Sequence, residues 1–412
     1  MSSQLRFLFT AMLLASLSTL CAAGDKLAPN PSQTTYLLTN DDGVLHTYVS
    51  FYAAGGTQGS PTLTFSSDTN TQGTGIGGGY FAAPRLTMLP SASAQCVYAS
   101  NAGSGDISGI DIPSGQLKGR FSASDTDVGD AFGIGIVQNA SYLYAGYSGS
   151  NTIATFSVLA GCQLSFLGDT PAAGLNGGSP SGLALHGDIL VVAYADGSIE
   201  SFNVANGLPL SNNDAENSTG YVNAGSNFPE GVDITSDGHF AIFGDSSVST
   251  TVEVSDISSG KLAPTVQYTI GGGLSTSVRS SFSAVGPGIN SGALRLSPDE
   301  SMIFMGNNDG GTVSAAFFNR QTGRVSGGCT SHKLAGFYNP WAFVGSVATR
   351  DNTGNGGVLY VAEYGFTGSY LGVLTINSNG VACSLMESSG SEVPDLLSDG
   401  LLSITVFPPR LF

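Results

Sequence analysis

The chain reads as an all-β, seven-bladed β-propeller. Three observations predict this: a strand motif that recurs seven times, a composition dominated by turn formers over charges, and a C-terminal strand with no partner beside it in sequence. The motif is an apolar strand ending in a small residue and then Asn, Tyr or an acid, followed by a turn and a second alternating strand. Its central residues are Leu37, Tyr98, Tyr144, Val191, Ile242, Phe304 and Tyr360, spaced 46 to 62 residues apart. Propeller blades run about 40 to 50 residues, and the longer intervals carry Gly/Ser-rich inserts.

Each anchor strand follows a shorter apolar strand opened by Pro, Gly or Asn, as in Pro180-Ser181-Gly182-Leu183, Pro229-Glu230-Gly231-Val232 and Asn290-Ser291-Gly292-Ala293. Ser297-Pro298-Asp299-Glu300 makes the tight turn between two such strands, because Pro fixes φ and Asp favours turn starts. A third strand such as Ile199 to Phe202 and a weaker outer strand such as Cys162 to Phe166 complete a four-stranded blade. The first blade lacks an inner strand, and the terminal Leu401-Leu402-Ser403-Ile404-Thr405-Val406-Phe407 fits that place, closing the ring and removing an open edge. The organisation is then a leader over 1–23, a short segment over 24–34 and one propeller over 35–412.

The leader is a signal peptide: Arg6, an apolar run from Phe7 to Leu20, and a small-residue cleavage site ending at Ala23. The run is too short to span a bilayer, and Leu20 before Cys21 argues against lipoprotein processing. The expectation is a secreted or periplasmic protein without a membrane span. There are 58 glycines, and 13 Lys+Arg stand against 30 Asp+Glu for a net charge of -17. That charge repels phosphate backbones and disfavours nucleic acid as a partner. Four cysteines remain after the leader, Cys96, Cys162, Cys329 and Cys383, and no C-x-x-C pair points to structural zinc. Cys329 and Cys383 fall on outer strands of neighbouring blades, where splaying at the rim predicts a separation too large for a bond.

The turns, and above all Ser-Pro-Asp-Glu before Met302-Ile303-Phe304-Met305-Gly306-Asn307 with its echo Ser236-Asp237-Gly238, make the chain resemble the lactonase-like and YVTN-type β-propellers from about Tyr36 to Phe407. The resemblance implies a seven-bladed ring and, as one activity, lactone hydrolysis. Enzymes of that type usually carry a Pro-His pair opening inner strands. Here the residues after the opening Pro or Asn are Ser181, Glu230, Ser291 and Trp341, while His46, His186, His239 and His332 lie on other strands and turns, so histidine-dependent hydrolysis is disfavoured.

Loops before inner strands and turns between second and third strands share one face, the mouth. That face collects Glu230 and Asp245 as candidate catalytic carboxylates. Trp341 and Glu363 are candidate ligand contacts across the channel, with Trp341 offering a stacking surface for a sugar or lactone. Asn101, Asn307, Asn308, Asp309 and the pair Asp41-Asp42 gather there too, an oxygen-rich set that would suit a divalent cation such as Ca²⁺, although Asn and Asp also end strands simply because they favour turns. Asp233 and Arg295 share one repeat position in consecutive blades and read as a cross-blade ion pair or as a ligand-binding pair. The glycine loop Gly73 to Gly79 and the insert from Gly271 to Gly292, which carries Arg279, precede inner strands and are expected to hang over the mouth as lids. No G-x-S-x-G elbow or H-E-x-x-H motif occurs. Two functions follow: a binding module for a small carbohydrate, a lactone or a protein partner, and, as the alternative, a lactonase-like hydrolase using Glu230 with Asp245 or a bound cation.

Overall fold

The protein is described by a computed structural model. It describes residues 35–407 except 58–59, 77–83, 90–94, 125–132, 215–230, 246–250, 270–293, 308–311, 333–342, 350–356, 366–367, 381, 388–392 and 396–400. At some strand positions, Asp245 and Glu363 among them, it describes the backbone alone.

Seven antiparallel sheets follow one another along the chain, and no helix occurs among the described residues. Blade 2 is typical, with Leu86–Met88 innermost, then Cys96–Asn101, Asp106–Asp111 and Gln116–Ser122 outermost. All seven anchor residues lie on second strands. Blade 1 is built from Thr35–Asp41, Tyr48–Thr57 and Ser60–Asn70, and its inner strand is the C-terminal Leu401–Phe407. Leu37 pairs with Val406 and Tyr36 with Phe407, so the ring closes as the sequence predicts.

Second strands are packed on both faces, which explains their nearly unbroken apolar runs. In Ile189–Tyr194 of blade 4, Leu190, Val192 and Tyr194 join the cluster shared with blade 3. Val191 and Ala193 face blade 5. The described residues form seven such clusters, one for each blade interface. The core is therefore a set of seven slabs between sheets, with no single centre.

Two turns predicted as equivalents have the same construction. In Ser297-Pro298-Asp299-Glu300, Asp299 Oδ1 accepts the Ser297 hydroxyl at 2.7 Å and the Ser301 amide at 3.1 Å. In Thr235-Ser236-Asp237-Gly238, Asp237 Oδ1 accepts the Thr235 hydroxyl at 2.7 Å and the His239 amide at 3.1 Å. The fourth position is left-handed in both, φ 69° at Gly238 and φ 54° at Glu300. Left-handed backbone is costly for a side-chain-bearing residue, and Glu300 is held there by contacts with the Ser236 amide and with Arg320.

Two disulfides join neighbouring blades: Cys96–Cys162 links blades 2 and 3, and Cys329–Cys383 links blades 6 and 7 with a Cα separation of 5.6 Å. The expectation that Cys329 and Cys383 stay apart is overturned. The outer strands that carry them, Arg324–Thr330 and Cys383–Glu387, do not splay apart here. Cys329 pairs with Ala315 in the middle of its blade, at a β-bulge, whereas Cys383 pairs with Ser378 at the end of a strand. Bulges bend and twist the strand that carries them, and the rim here is closed by Phe317, Cys329 and Cys383 packing on the interface core.

A non-reduced digest should yield both linked peptides. Replacing Cys329 and Cys383 together by Ser should lower unfolding free energy by about 2–4 kcal/mol, read from denaturant melts under non-reducing conditions. Deleting residues 401–412 should leave two open strand edges, and light scattering should then report self-association.

Candidate functional site

The best-described part of the mouth is the corner where blades 1 and 2 meet. The Thr35–Asp41 strand ends on one carboxylate, Asp41, and a second, Asp42, follows it directly. Asp41 accepts the Thr39 hydroxyl at 2.9 Å and the Ser50 hydroxyl at 2.7 Å. Asp42 pairs with Arg85, Nη1 to Oδ2 at 2.7 Å, with both side chains essentially fully buried at 1% and 0% exposure. Beside them Asn101 accepts the Thr71 hydroxyl at 2.8 Å and donates to Asp106 at 2.6 Å and to Ser108 at 2.8 Å. Asp106 is in turn held by Arg120.

Arg85 was not singled out in the sequence, yet the corner is organised around it. Its amide donates to the Ser403 hydroxyl on the C-terminal strand at 3.2 Å. Its carbonyl accepts the Ser100 amide at 3.0 Å and the Asn40 side-chain amide at 3.2 Å. The signal that could have found it is the repeat itself. Arg85 lies opposite Ser100, and the matching inner-strand position is Gly135 opposite Gly146, Gly182 opposite Ala193 and Gly231 opposite Gly244. A guanidinium thus occupies a slot that is glycine in three other blades.

The predicted site residues divide. Glu230 and Trp341 lie outside the described residues. Asp245 ends the second strand Phe240–Asp245 of blade 5 and pairs with Thr251. Gly231, directly after Glu230, accepts the amide of Gly244, directly before Asp245, at 2.8 Å. Glu363 lies on the second strand of blade 7 opposite Val344, three residues beyond Trp341. Asp233 and Arg295 do sit at equivalent positions, opposite Ile242 and Phe304, but they form no ion pair. The Asp233 carboxylate instead accepts the Leu296 amide of the next blade at 2.9 Å and the Ile234 amide at 3.0 Å. Burial raises its pKa above the ordinary carboxylate value despite the Arg295 charge nearby and those two amides.

Of the oxygen-rich set, Asp41 and Asn101 take hydrogen bonds from neighbouring side chains and Asp42 has a guanidinium against it, while the side chains of Asn307, Asn308 and Asp309 lie outside the described residues. Among the described residues no group of three His, Cys, Asp or Glu is placed to hold a metal. The described start of the glycine loop, Thr71 to Ile76, is fastened down: Gly75 donates to the Gly43 carbonyl at 2.8 Å, and Gly103 to the Thr74 carbonyl at 2.8 Å. A side chain at Gly75 would strike Asp42, so glycine permits this contact. The rest of that loop and the insert with Arg279 lie outside the described residues.

On the opposite face Asp237 and Glu300 bridge blades 5 and 6 through Arg320, at 2.9 Å and 3.1 Å. His239 Nδ1 stands 3.7 Å from Asp237. Burial pushes the Asp237 carboxyl up, but hydrogen bonds from Thr235, Arg320 and the His239 amide, together with the Arg320 charge, outweigh it and bring its pKa down to about 2.

No protein-family model matches the sequence, and no curated protein matches it. The fold, however, is similar to solved structures over nearly its whole length. These include a candidate 6-phosphogluconolactonase from Bacteroides uniformis, with TM-score 0.63, 14% identity, and coverage of 91% of this chain and 100% of that one. A second candidate, from Bacteroides fragilis, has TM-score 0.61 and 14% identity over 92% and 99% of the two chains. The Pseudomonas aeruginosa periplasmic gluconolactonase PpgL has TM-score 0.61 and 14% identity over 91% and 99%. The chain has the seven-bladed, lactonase-like propeller fold. At such identities the likeness speaks for the fold, and chemistry has to be argued from the site. No helix among the described residues is long and apolar enough to cross a membrane.

Arg85→Ala would leave the Asp42 charge buried and unpaired and should cost about 3–5 kcal/mol, whereas Arg85→Met with Asp42→Leu should restore most of that loss. Denaturant unfolding of the three proteins tests it. A depressed carboxyl stabilises the fold above its ordinary value of 3.8, and that contribution is lost as pH falls toward 2. Asp237→Asn should therefore flatten the fall in melting temperature between pH 4 and pH 2.

Proposed function

We propose that the chain is a lactone hydrolase acting at the mouth of the ring, the alternative that the sequence offers beside a binding module. The observation that carries this reading is likeness over nearly the full chain to the gluconolactonase and the two candidate 6-phosphogluconolactonases. In the reaction water adds to the lactone carbonyl carbon, the ring C–O bond breaks, the alkoxide takes up a proton, and a hydroxy acid is released. A carboxylate within reach of the attacking water serves as general base. Glu230 and Asp245 are assigned to this work as the two acids that the sequence places at the mouth of one blade, next in sequence to Gly231 and Gly244, which are hydrogen-bonded neighbours. Trp341 and Glu363 are assigned to ligand contact, and Asp233 and Arg295, on the inner strands of blades 5 and 6, to polar contact. Export through the leader would put this activity in the periplasm or outside the cell.

A pH-stat assay against five- and six-membered sugar and alkyl lactones should record one proton released per ring opened. Glu230→Gln should abolish turnover while the Trp341 fluorescence response to lactone survives, since Gln keeps the shape but cannot take the proton. Fluorescence titration without proton release from any lactone would return the protein to the binding-module reading.

A further inference from the structure

The corner between blades 1 and 2 contains a group of buried side-chain oxygens that no protein group satisfies. Asn40 Oδ1, Asp42 Oδ1 and Thr47 Oγ1 are all without a hydrogen-bond partner, on residues that are 0% exposed. Buried polar atoms are seldom left in this condition, and three in one corner is a coherent pattern. Asn40 lies on the side of the blade 1 sheet that carries Leu38 and Val49 toward blade 2, and its nitrogen donates to the Ser100 carbonyl at 3.1 Å. Asp42 follows that strand directly. Thr47 precedes Tyr48, the partner of Asp41 in the ladder.

The orientation of the Asn40 amide is fixed by its surroundings. Its nitrogen faces two carbonyls, those of Arg85 and Ser100, so a flipped amide would set oxygen against oxygen. Asn40 Oδ1 is therefore an acceptor in need of a donor, as is Asp42 Oδ1. Thr47 brings a hydroxyl, able to donate and accept. A ligand that donates two hydrogens and accepts others matches this set, and water is the smallest that does. A metal ion matches it poorly, because the one carboxylate among these three groups already holds a guanidinium at 2.7 Å.

We propose that this corner is a buried hydration site, in which ordered water bridges Asn40, Asp42 and Thr47. The water belongs to the closure of the ring, since the same corner holds the N-terminal strand, the C-terminal Ser403 and blade 2 together. The proposal is independent of the hydrolase reading and stands or falls without it.

A crystal structure at about 1.5 Å resolution together with the near-isosteric variant Thr47→Val provides the test. Hydration predicts density within about 3.2 Å of Asn40 Oδ1 and Asp42 Oδ1, the range of ordinary hydrogen bonds. It also predicts that Thr47→Val lowers the melting temperature by about 1 to 2 °C, because a bridging water loses a partner. A dry corner predicts the opposite sign, since removing an unsatisfied buried hydroxyl stabilises a fold. An empty corner, an ion at coordination distance, or a melting temperature that is unchanged or raised in Thr47→Val overturns the proposal.

Discussion

Everything in this molecule depends on seven sheets packing face to face in a circle, a geometry that works only if the last interface closes. A blade has two apolar faces, so an open array would leave two of them in water. Leu37 shows what closure supplies. It sits on the second strand of blade 1, joins the cluster shared with blade 7, and is completely buried only because Ile404 and Val406 come from the far end of the chain to cover the same interface. Nearly 370 residues separate the two sides of that ladder, so this contact carries the largest loop-closure entropy in the fold.

The polar corner follows from this constraint. Where the two chain ends meet, the mouth-side ends of the strands cannot all be covered by apolar residues, because turns begin there and backbone groups need partners. Arg85 meets the need in three directions, through its amide, its carbonyl and its guanidinium. A buried ion pair contributes little net stability compared with apolar packing. Its effect is on uniqueness: a slipped register of the C-terminal strand would separate Ser403 from the Arg85 amide. The corner thus joins architecture to the proposed site, since it forms one wall of the face on which Glu230, Asp245, Trp341 and Glu363 were predicted.

Much of the fold was legible in the sequence because burial on both faces forces a recognisable strand, as in Leu190-Val191-Val192-Ala193, and because turns such as Ser-Pro-Asp-Glu carry their own hydrogen bonds. Closure was legible because one strand had no partner. The candidate site was read less well. Asp233 and Arg295 were rightly placed at one repeat position, but repeat position gives no information on which neighbour a carboxylate chooses, and a backbone amide was nearer to hand. Cys329 and Cys383 were misjudged because a bulge bends the strand that carries it, and no local pattern announces a bulge. Arg85 was passed over because a lone Arg after Pro84 looks unremarkable until the pairing register shows that it replaces glycine.

The pairing of Tyr36 with Phe407 has a further consequence. Strand partners lie about 5 Å apart, so the described ends of the chain are neighbours within one sheet. Joined by a short peptide, they would make the backbone an uninterrupted circle, and the present ends would lose any special standing. New ends could then be cut at an exposed rim turn, such as the one following Leu159 in blade 3. In such a permuted chain all four strands of blade 1 would be contiguous, and the long-range closure would pass to a different sheet while every blade interface stayed as it is.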